Sequence, residues 1–234
     1  MAWRGGWGLA GAGRVRHYDL RVSTSYDCAE PDSRRDGLAA AAGAVRAGQL
    51  VVLPTDTVYG IGCDAFNAEA VRALLAAKGR GSSMPAPVLV GSWTTIDGLV
   101  SSVPKSARDL IEAFWPGGLS LVLPHAPSLT WELGDTRGTV MLRMPLHPVA
   151  LELLREVGPM AVSSANRSGS PPAATMEEAR TQLGEVVPVY LDGGPAEGEA
   201  STIVDLTAPQ PRILREGAVT TAQVAEVLGH ELAS

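Results

Sequence analysis

Four cations and a scatter of small hydroxyls carry the chemistry open to this chain. Lys78 and Arg80 alternate with Gly79 and Gly81 where a helical stretch ends. Cations favour a helix C-terminus by a fraction of a kcal/mol, which alone could account for both. Bare glycine backbone beside two positive charges also suits a phosphate, and this is the stronger reading. Arg143 and Arg215 each end a β-prone run. A guanidinium there can clamp a carboxylate or phosphate in a fork, or simply sit in water. Two such arginines beside a cationic turn make a convergent pocket the expectation.

The hydroxyls fall in three turns. Pro54-Thr55-Asp56-Thr57-Val58-Tyr59-Gly60-Ile61-Gly62 follows the apolar run Leu50–Leu53, and Ser163-Ser164-Ala165-Asn166-Arg167-Ser168-Gly169 follows Met160–Val162. Asp192-Gly193-Gly194 leads to Ser201-Thr202. Each is an ordinary polar turn on one reading. On the other it is a cradle for phosphate or an amino acid, placed where open α/β sheets bind ligands, beyond the carboxyl ends of strands. Ser164 could be a nucleophile, but GxSxG is absent and no histidine lies in a partner motif.

The totals narrow the field. A chain of 234 residues, 45% hydrophobic and 19% charged, has the length and composition of one soluble globular domain. A net charge of −6 argues against nucleic-acid binding through bulk electrostatics while permitting a local basic pocket. Cys28 and Cys63 lack CxxC spacing and fit a reducing compartment. No apolar run reaches membrane-spanning length. GxxxxGK[ST] is missing, and His17, His125, His147 and His230 show no zinc-ligand spacing. Any Mg²⁺ would ride on the phosphates of a nucleotide.

The elements that must hold these residues alternate along the chain. Residues 1–21, rich in Gly, Trp and Arg, read as a disordered extension or an over-called start, with the domain proper at 22–234. Gly6–Gly11 matches GxGxxG without a preceding strand and is discarded as a dinucleotide site. Helices are predicted from Asp32 or Ser33 to Ala47, after Asn67, briefly from Thr94 or Thr95, from Pro104 to Phe114, from Pro148 to Val157, from Thr175 to Leu183 and from Thr221 to Leu228. Strands are predicted at 50–53, 87–90, 119–123, 139–143, 160–162, 187–191, 202–206 and 212–214. Alternation early and clustered short strands late give one α/β domain with a mixed parallel and antiparallel sheet.

The ordered set of motifs resembles the YrdC/TsaC family of threonylcarbamoyl-AMP synthases over roughly residues 27–228. The matching stretches are Pro54–Gly62, Lys78-Gly79-Arg80, Phe114-Trp115-Pro116-Gly117 with Leu119, Val140–Pro148, Ser164–Gly169, Asp192-Gly193-Gly194, Ser201–Asp205 and Leu214-Arg215-Glu216-Gly217. The resemblance implies a twisted sheet with flanking helices and a concave, positively lined pocket. It implies condensation of L-threonine, bicarbonate or CO₂, and ATP (with Mg²⁺ on the nucleotide) to threonylcarbamoyl-AMP and pyrophosphate. The product would pass to a tRNA threonylcarbamoyltransferase complex that modifies adenosine 37 of tRNA, in the cytoplasm. By resemblance, Thr57, Tyr59, Arg143, Ser164 and Ser201 hold threonine. Lys78, Arg80, Thr139, Asn166, Ala174 and Arg215 line the nucleotide site, with Lys78 and Arg80 the catalytic pair. Relatives carry a histidine where this chain reads Gly91 after Pro87-Val88-Leu89-Val90, and the loop from Arg80 to Pro87 reads two residues longer. The alternative is a non-catalytic RNA- or nucleotide-binding module of the same fold, with weak RNA affinity from the basic pocket. A serine hydrolase built on Ser164 ranks third.

Overall fold

The computed structural model describes residues 23–81, 83–229 and 232. The extension expected at 1–21, with its Gly6–Gly11 run and His17, lies outside the described residues, as does His230. The strands, in chain order, are β1 (Thr24–Asp27), β2 (Val51–Leu53), β3 (Gly60–Asp64), β4 (Val88–Leu89), β5 (Leu119–Pro124), β6 (Thr139–Arg143), β7 (Met160–Ser164), β8 (Val189–Asp192), β9 (Thr202–Asp205) and β10 (Arg212–Arg215). The helices are α1 (Pro31–Arg46), α2 (Ala68–Ala77), α3 (Lys105–Phe114), α4 (Pro148–Val157), α5 (Met176–Leu183) and α6 (Thr221–Leu228). Among the described residues no helix is long and apolar enough to cross a membrane.

All ten strands join one sheet in the order β1-β8-β2-β3-β7-β4-β6-β5-β9-β10. Parallel pairs (β1 with β8, β8 with β2, β4 with β6, β5 with β9) mix with antiparallel ones (β2 with β3, β3 with β7, β7 with β4, β5 with β6, β9 with β10). β2 is apolar at every position because both its faces are covered. Val51 and Leu53 pack with Ala41, Val45, Leu153 and Leu154 of α1 and α4, while Val52 points to the opposite, larger core.

Local chemistry sets the helix ends. Asn67 Oδ1 accepts from the N–H groups of Glu69 and Ala70, 3.1 Å each, and Pro31 and Pro148 open α1 and α4, as their fixed φ favours. Thr175 caps α5 through the Glu178 N–H, and the Glu178 carboxylate takes the N–H of Ala174 at 2.8 Å rather than that of Thr175. Pro104 proves to be the N-cap of α3 rather than its first residue. The brief helix is a 3₁₀ turn, Trp93–Gly98, capped by Ser92.

Two strands escaped the sequence reading. β1 pairs with β8 at the sheet edge, and Thr-Ser-Tyr-Asp has too little apolar alternation to announce it. β3 is the larger correction, for Gly60-Ile61-Gly62 is the middle of the sheet and not an extended turn. The glycines are there for space. A Cβ on Gly60 would lie 2.6 Å from Cγ1 of Val162, and one on Gly62 would lie 2.8 Å from its Cγ2.

Val162 is β-branched and cannot swing away. Gly60→Ala should therefore cost about 1–3 kcal/mol of stability, and a Val162→Ala background should remove at least about half of that cost. Urea unfolding of the four chains of the cycle measures it. Equal costs in both backgrounds would mean that Val162 is not the obstacle.

Candidate functional site

The sheet register explains where a ligand could go. On β5, Leu119, Leu121 and Leu123 face the larger core, as do Val140 and Leu142 on β6 and Val204 on β9. The alternate positions therefore face the other way: Ser120, Met141, Arg143 and Ile203. Over β2, β3 and β7 that second face is covered by α1 and α4; over β5, β6 and β9 it is open among the described residues. A concavity of about 260 Å³ lies there, lined by hydroxyls and arginines from widely separated parts of the chain, among them Thr57, Ser164, Ser201, Arg80, Arg143 and Arg215. The expected strand-end crevice is thus only half the description, because much of the floor is a sheet face.

The 54–59 hairpin forms one wall. Thr55 Oγ1 donates to Val58 O at 2.6 Å and accepts from the N–H groups of Thr57 and Val58 at 3.2 and 3.3 Å, which folds the turn around one hydroxyl. That turn presents Thr57 Oγ1 to Arg143 Nη1 at 2.9 Å. Arg143 Nε donates to Gly117 O at 2.9 Å, and Nη2 meets Asp56 Oδ1 at 2.6 Å. Both partners of this ion pair are largely buried. Tyr59 is fully buried; its hydroxyl donates to Gly194 O at 2.6 Å and accepts from the Gly193 N–H at 3.0 Å, clasping the glycine turn. Burial, with Asp192 nearby, holds the phenol well above its ordinary pKa, so it stays neutral.

Opposite stands Arg215. Its Nε and Nη2 both donate to Ser201 O, at 3.0 and 2.6 Å, and Ser201 Oγ lies 3.0 Å from Ser120 Oγ. A bulge aims this arginine. Ile213 pairs with Val204, but Arg215 rather than Leu214 pairs with Ile203. Leu214, the extra residue, is left outside, 49% exposed.

The third wall is the loop after β7. Arg80 Nη1 donates to Ser163 Oγ and Nε to Ser168 Oγ, both at 3.2 Å. Lys78 takes a different place: it is 1% exposed and lies behind the wall. Its Nζ donates to Asn166 O at 2.9 Å, to Asn166 Oδ1 at 3.1 Å and, closely, to Ser164 O. Ser164 Oγ donates to Asn166 Oδ1 at 2.5 Å, and Asn166 Nδ2 donates to Ser170 O at 2.6 Å. Lys78 thus pins the loop from beneath. Burial pushes its ammonium down to about 7, with the Arg80 charge acting in the same direction.

Of the residues singled out from sequence, Thr57, Tyr59, Arg80, Arg143, Ser164, Ser201 and Arg215 line the one concavity. Thr139 shares the face of Met141 and Arg143 but sits at the far end of β6, its hydroxyl turned to Thr136 O. Asn166 lies with Lys78 beneath the wall, and Ala174 has both backbone groups engaged, its N–H by Glu178 and its carbonyl by Ala196. Gly91 lies just past β4. A Cβ there would meet Arg155 N and the Leu154 carbonyl carbon of α4 at 2.8 Å, so no histidine fits, whereas Leu89 lines the cavity. Ser120 and Met141 went unnoticed, while Ser163 and Asp56 were read only as parts of their turns. The alternation Leu119-Ser120-Leu121 was the available sign for the first. Among the described residues no three His, Cys, Asp or Glu side chains converge as metal ligands.

With this geometry in view, comparison with known proteins is informative. Residues 43–217 match the model of the Sua5/YciO/YrdC family, described as telomere recombination. A Mycobacterium tuberculosis (strain ATCC 25618 / H37Rv) protein, provisionally named for threonylcarbamoyl-AMP synthase activity, is 66% identical over 214 residues, 91% of this chain and 99% of its own. The Bacillus subtilis (strain 168) threonylcarbamoyl-AMP synthase is 38% identical over 195 residues, 82% of this chain but 56% of its own. The crystal structure of P. abyssi Sua5 complexed with L-threonine superposes with a TM-score of 0.84 at 32% identity, covering 90% of this chain and 62% of that one.

The Lys78 environment has a measurable signature. A lysine titrates near 10.5 in the unfolded chain and near 7 in the folded one. Between those values the unfolded state holds the proton that the folded state has shed, so this group's contribution to stability rises with pH across the window. Lys78→Met should lack that dependence. The stability of the parent relative to the variant should climb from about pH 7 to about pH 10, measured by denaturant titration; a flat difference would mean that Lys78 stays charged throughout.

Proposed function

The chain belongs to the Sua5/YciO/YrdC family, and we propose that it is an L-threonylcarbamoyladenylate synthase, a nucleotidyltransferase. The observation that carries this is the meeting of Arg80, Arg143 and Arg215 with Thr57, Ser163, Ser164 and Ser201 around one cavity in a chain of net charge −6. The reaction brings an anion to a polyanion, and that is what such a lining can accommodate. Threonine amine and bicarbonate give a carbamate and water. A carbamate oxygen then attacks the α-phosphorus of ATP, the α–β phosphoanhydride bond breaks, and pyrophosphate leaves.

In this reading Arg143 and Thr57 take the threonine carboxylate, and Ser201, Ser164 and Tyr59 shape that end of the cavity. Arg80 and Arg215 face the nucleotide phosphates, and the backbone and side chains around Thr139, Asn166 and Ala174 border the remainder of the nucleotide. Lys78 supports the phosphate side through the loop that it pins. Mg²⁺ enters on the triphosphate as part of the substrate and shields its charge. No covalent nucleophile is required: positioning and preorganised charge supply the acceleration. Ser164 Oγ, committed to Asn166 Oδ1, is poorly placed for the hydrolase alternative. The L-threonine bound by the P. abyssi relative favours catalysis over a simple RNA- or nucleotide-binding module. The product would feed a tRNA threonylcarbamoyltransferase complex in the cytoplasm.

The direct test is pyrophosphate release with ATP, L-threonine and bicarbonate omitted in turn. Release should require all three, and ATP turnover that ignores threonine would sink the assignment. Arg80→Ala should lower kcat about 100-fold, the scale seen when one preorganised donor is lost, with an unchanged circular dichroism spectrum. Full activity in that variant would move the phosphate site elsewhere.

A further inference from the structure

We propose that Asp56 is a positioning residue for the amino-acid substrate, holding the Arg143 guanidinium at the cavity wall where it meets the substrate carboxylate; this rests on the synthase reading above. A guanidinium has five N–H donors in a rigid plane. Three are fixed by Gly117 O, Thr57 Oγ1 and Asp56 Oδ1, at 2.9, 2.9 and 2.6 Å. Fixed on all three nitrogens, the guanidinium is held in one orientation at the cavity wall, with terminal N–H donors left over to meet a carboxylate. Gly117 and Thr57 alone would fix two nitrogens, and Asp56 is what anchors the third.

Asp56 is itself anchored. Its Oδ1 also accepts from the Leu146 N–H at 2.9 Å, so one carboxylate oxygen ties the 54–59 hairpin to the end of β6 and to the turn that follows. Stability is a weak reason for such a pair, because desolvating two charges largely cancels their attraction. Orientation at a cavity wall is a stronger one. Two effects of Asp56 oppose each other: its negative charge disfavours an incoming carboxylate, while its grip removes the freedom Arg143 would otherwise lose on binding. The short, doubly anchored geometry favours the grip, which fixes the sign of the outcome.

Steady-state pyrophosphate release should show the KM for L-threonine rising about 10-fold or more in Asp56→Ala, with kcat and the KM for ATP within about twofold of the parent. Asp56→Asn, which can still accept both hydrogen bonds, should fall in between. L-Threoninamide lacks the carboxylate, and its inhibition constant should be the same in all three proteins. A KM for threonine that is unchanged or lower in Asp56→Ala overturns the proposal, as does an equal rise for threonine, its amide and ATP. If the alanine variant does not fold, the asparagine variant decides by the same criteria. A parent protein that releases no pyrophosphate with threonine overturns the synthase reading, and this proposal with it; a fully active parent with indifferent variants overturns the proposal alone.

Discussion

The architecture depends on one constraint: a ten-stranded sheet whose second face is covered along only part of its width. α1 and α4 close that face over β2, β3 and β7, and among the described residues no helix continues the layer over β5, β6 and β9. Positions pointing into the gap cannot all be apolar without leaving a large greasy patch. They are Ser120, Arg143, Ser201 and Arg215, interrupted by Met141 and Ile203. The same alternation that builds the core on one side therefore builds a polar floor on the other, at no cost to the strands.

The electrostatics of that floor follow from who partners the cations. Arg215 and Arg80 are held by neutral oxygens, those of Ser201, Ser163 and Ser168, so each is oriented while its charge remains uncancelled. Arg143 alone among the three faces a carboxylate. Lys78 contributes from behind, through the oxygens of Ser164 and Asn166, and burial weakens its hold on the proton. A rigid set of dipoles and charges, fixed before any ligand arrives, is what an anion-transfer site requires.

Much of this was legible in the sequence, for reasons that can be named. Helices with explicit end signals, such as Asn67 before α2 and Pro148 at the start of α4, could be placed closely, as could β6, where apolar residues alternate with Thr139, Met141 and Arg143. The turns that supply Thr57, Ser164 and Ser201 stood out by composition. β3 did not, because its glycines answer a steric demand from Val162, with β4, β5 and β6 lying between them along the chain. Nor did the burial of Lys78 or the role of Leu89. Whether a side chain at the end of a helix turns outward to a phosphate or inward to a carbonyl is settled by the third dimension, and Leu89 carries no polar group to mark it as cavity lining.

The bulge in β10 reaches beyond the cavity. A bare terminal strand invites another chain to add to the sheet. Here the irregularity at Leu214 breaks the evenly spaced row of donors and acceptors, and arginines stand on either side of it. The surplus residue that turns Arg215 toward the cavity also makes this border a poor template for self-association.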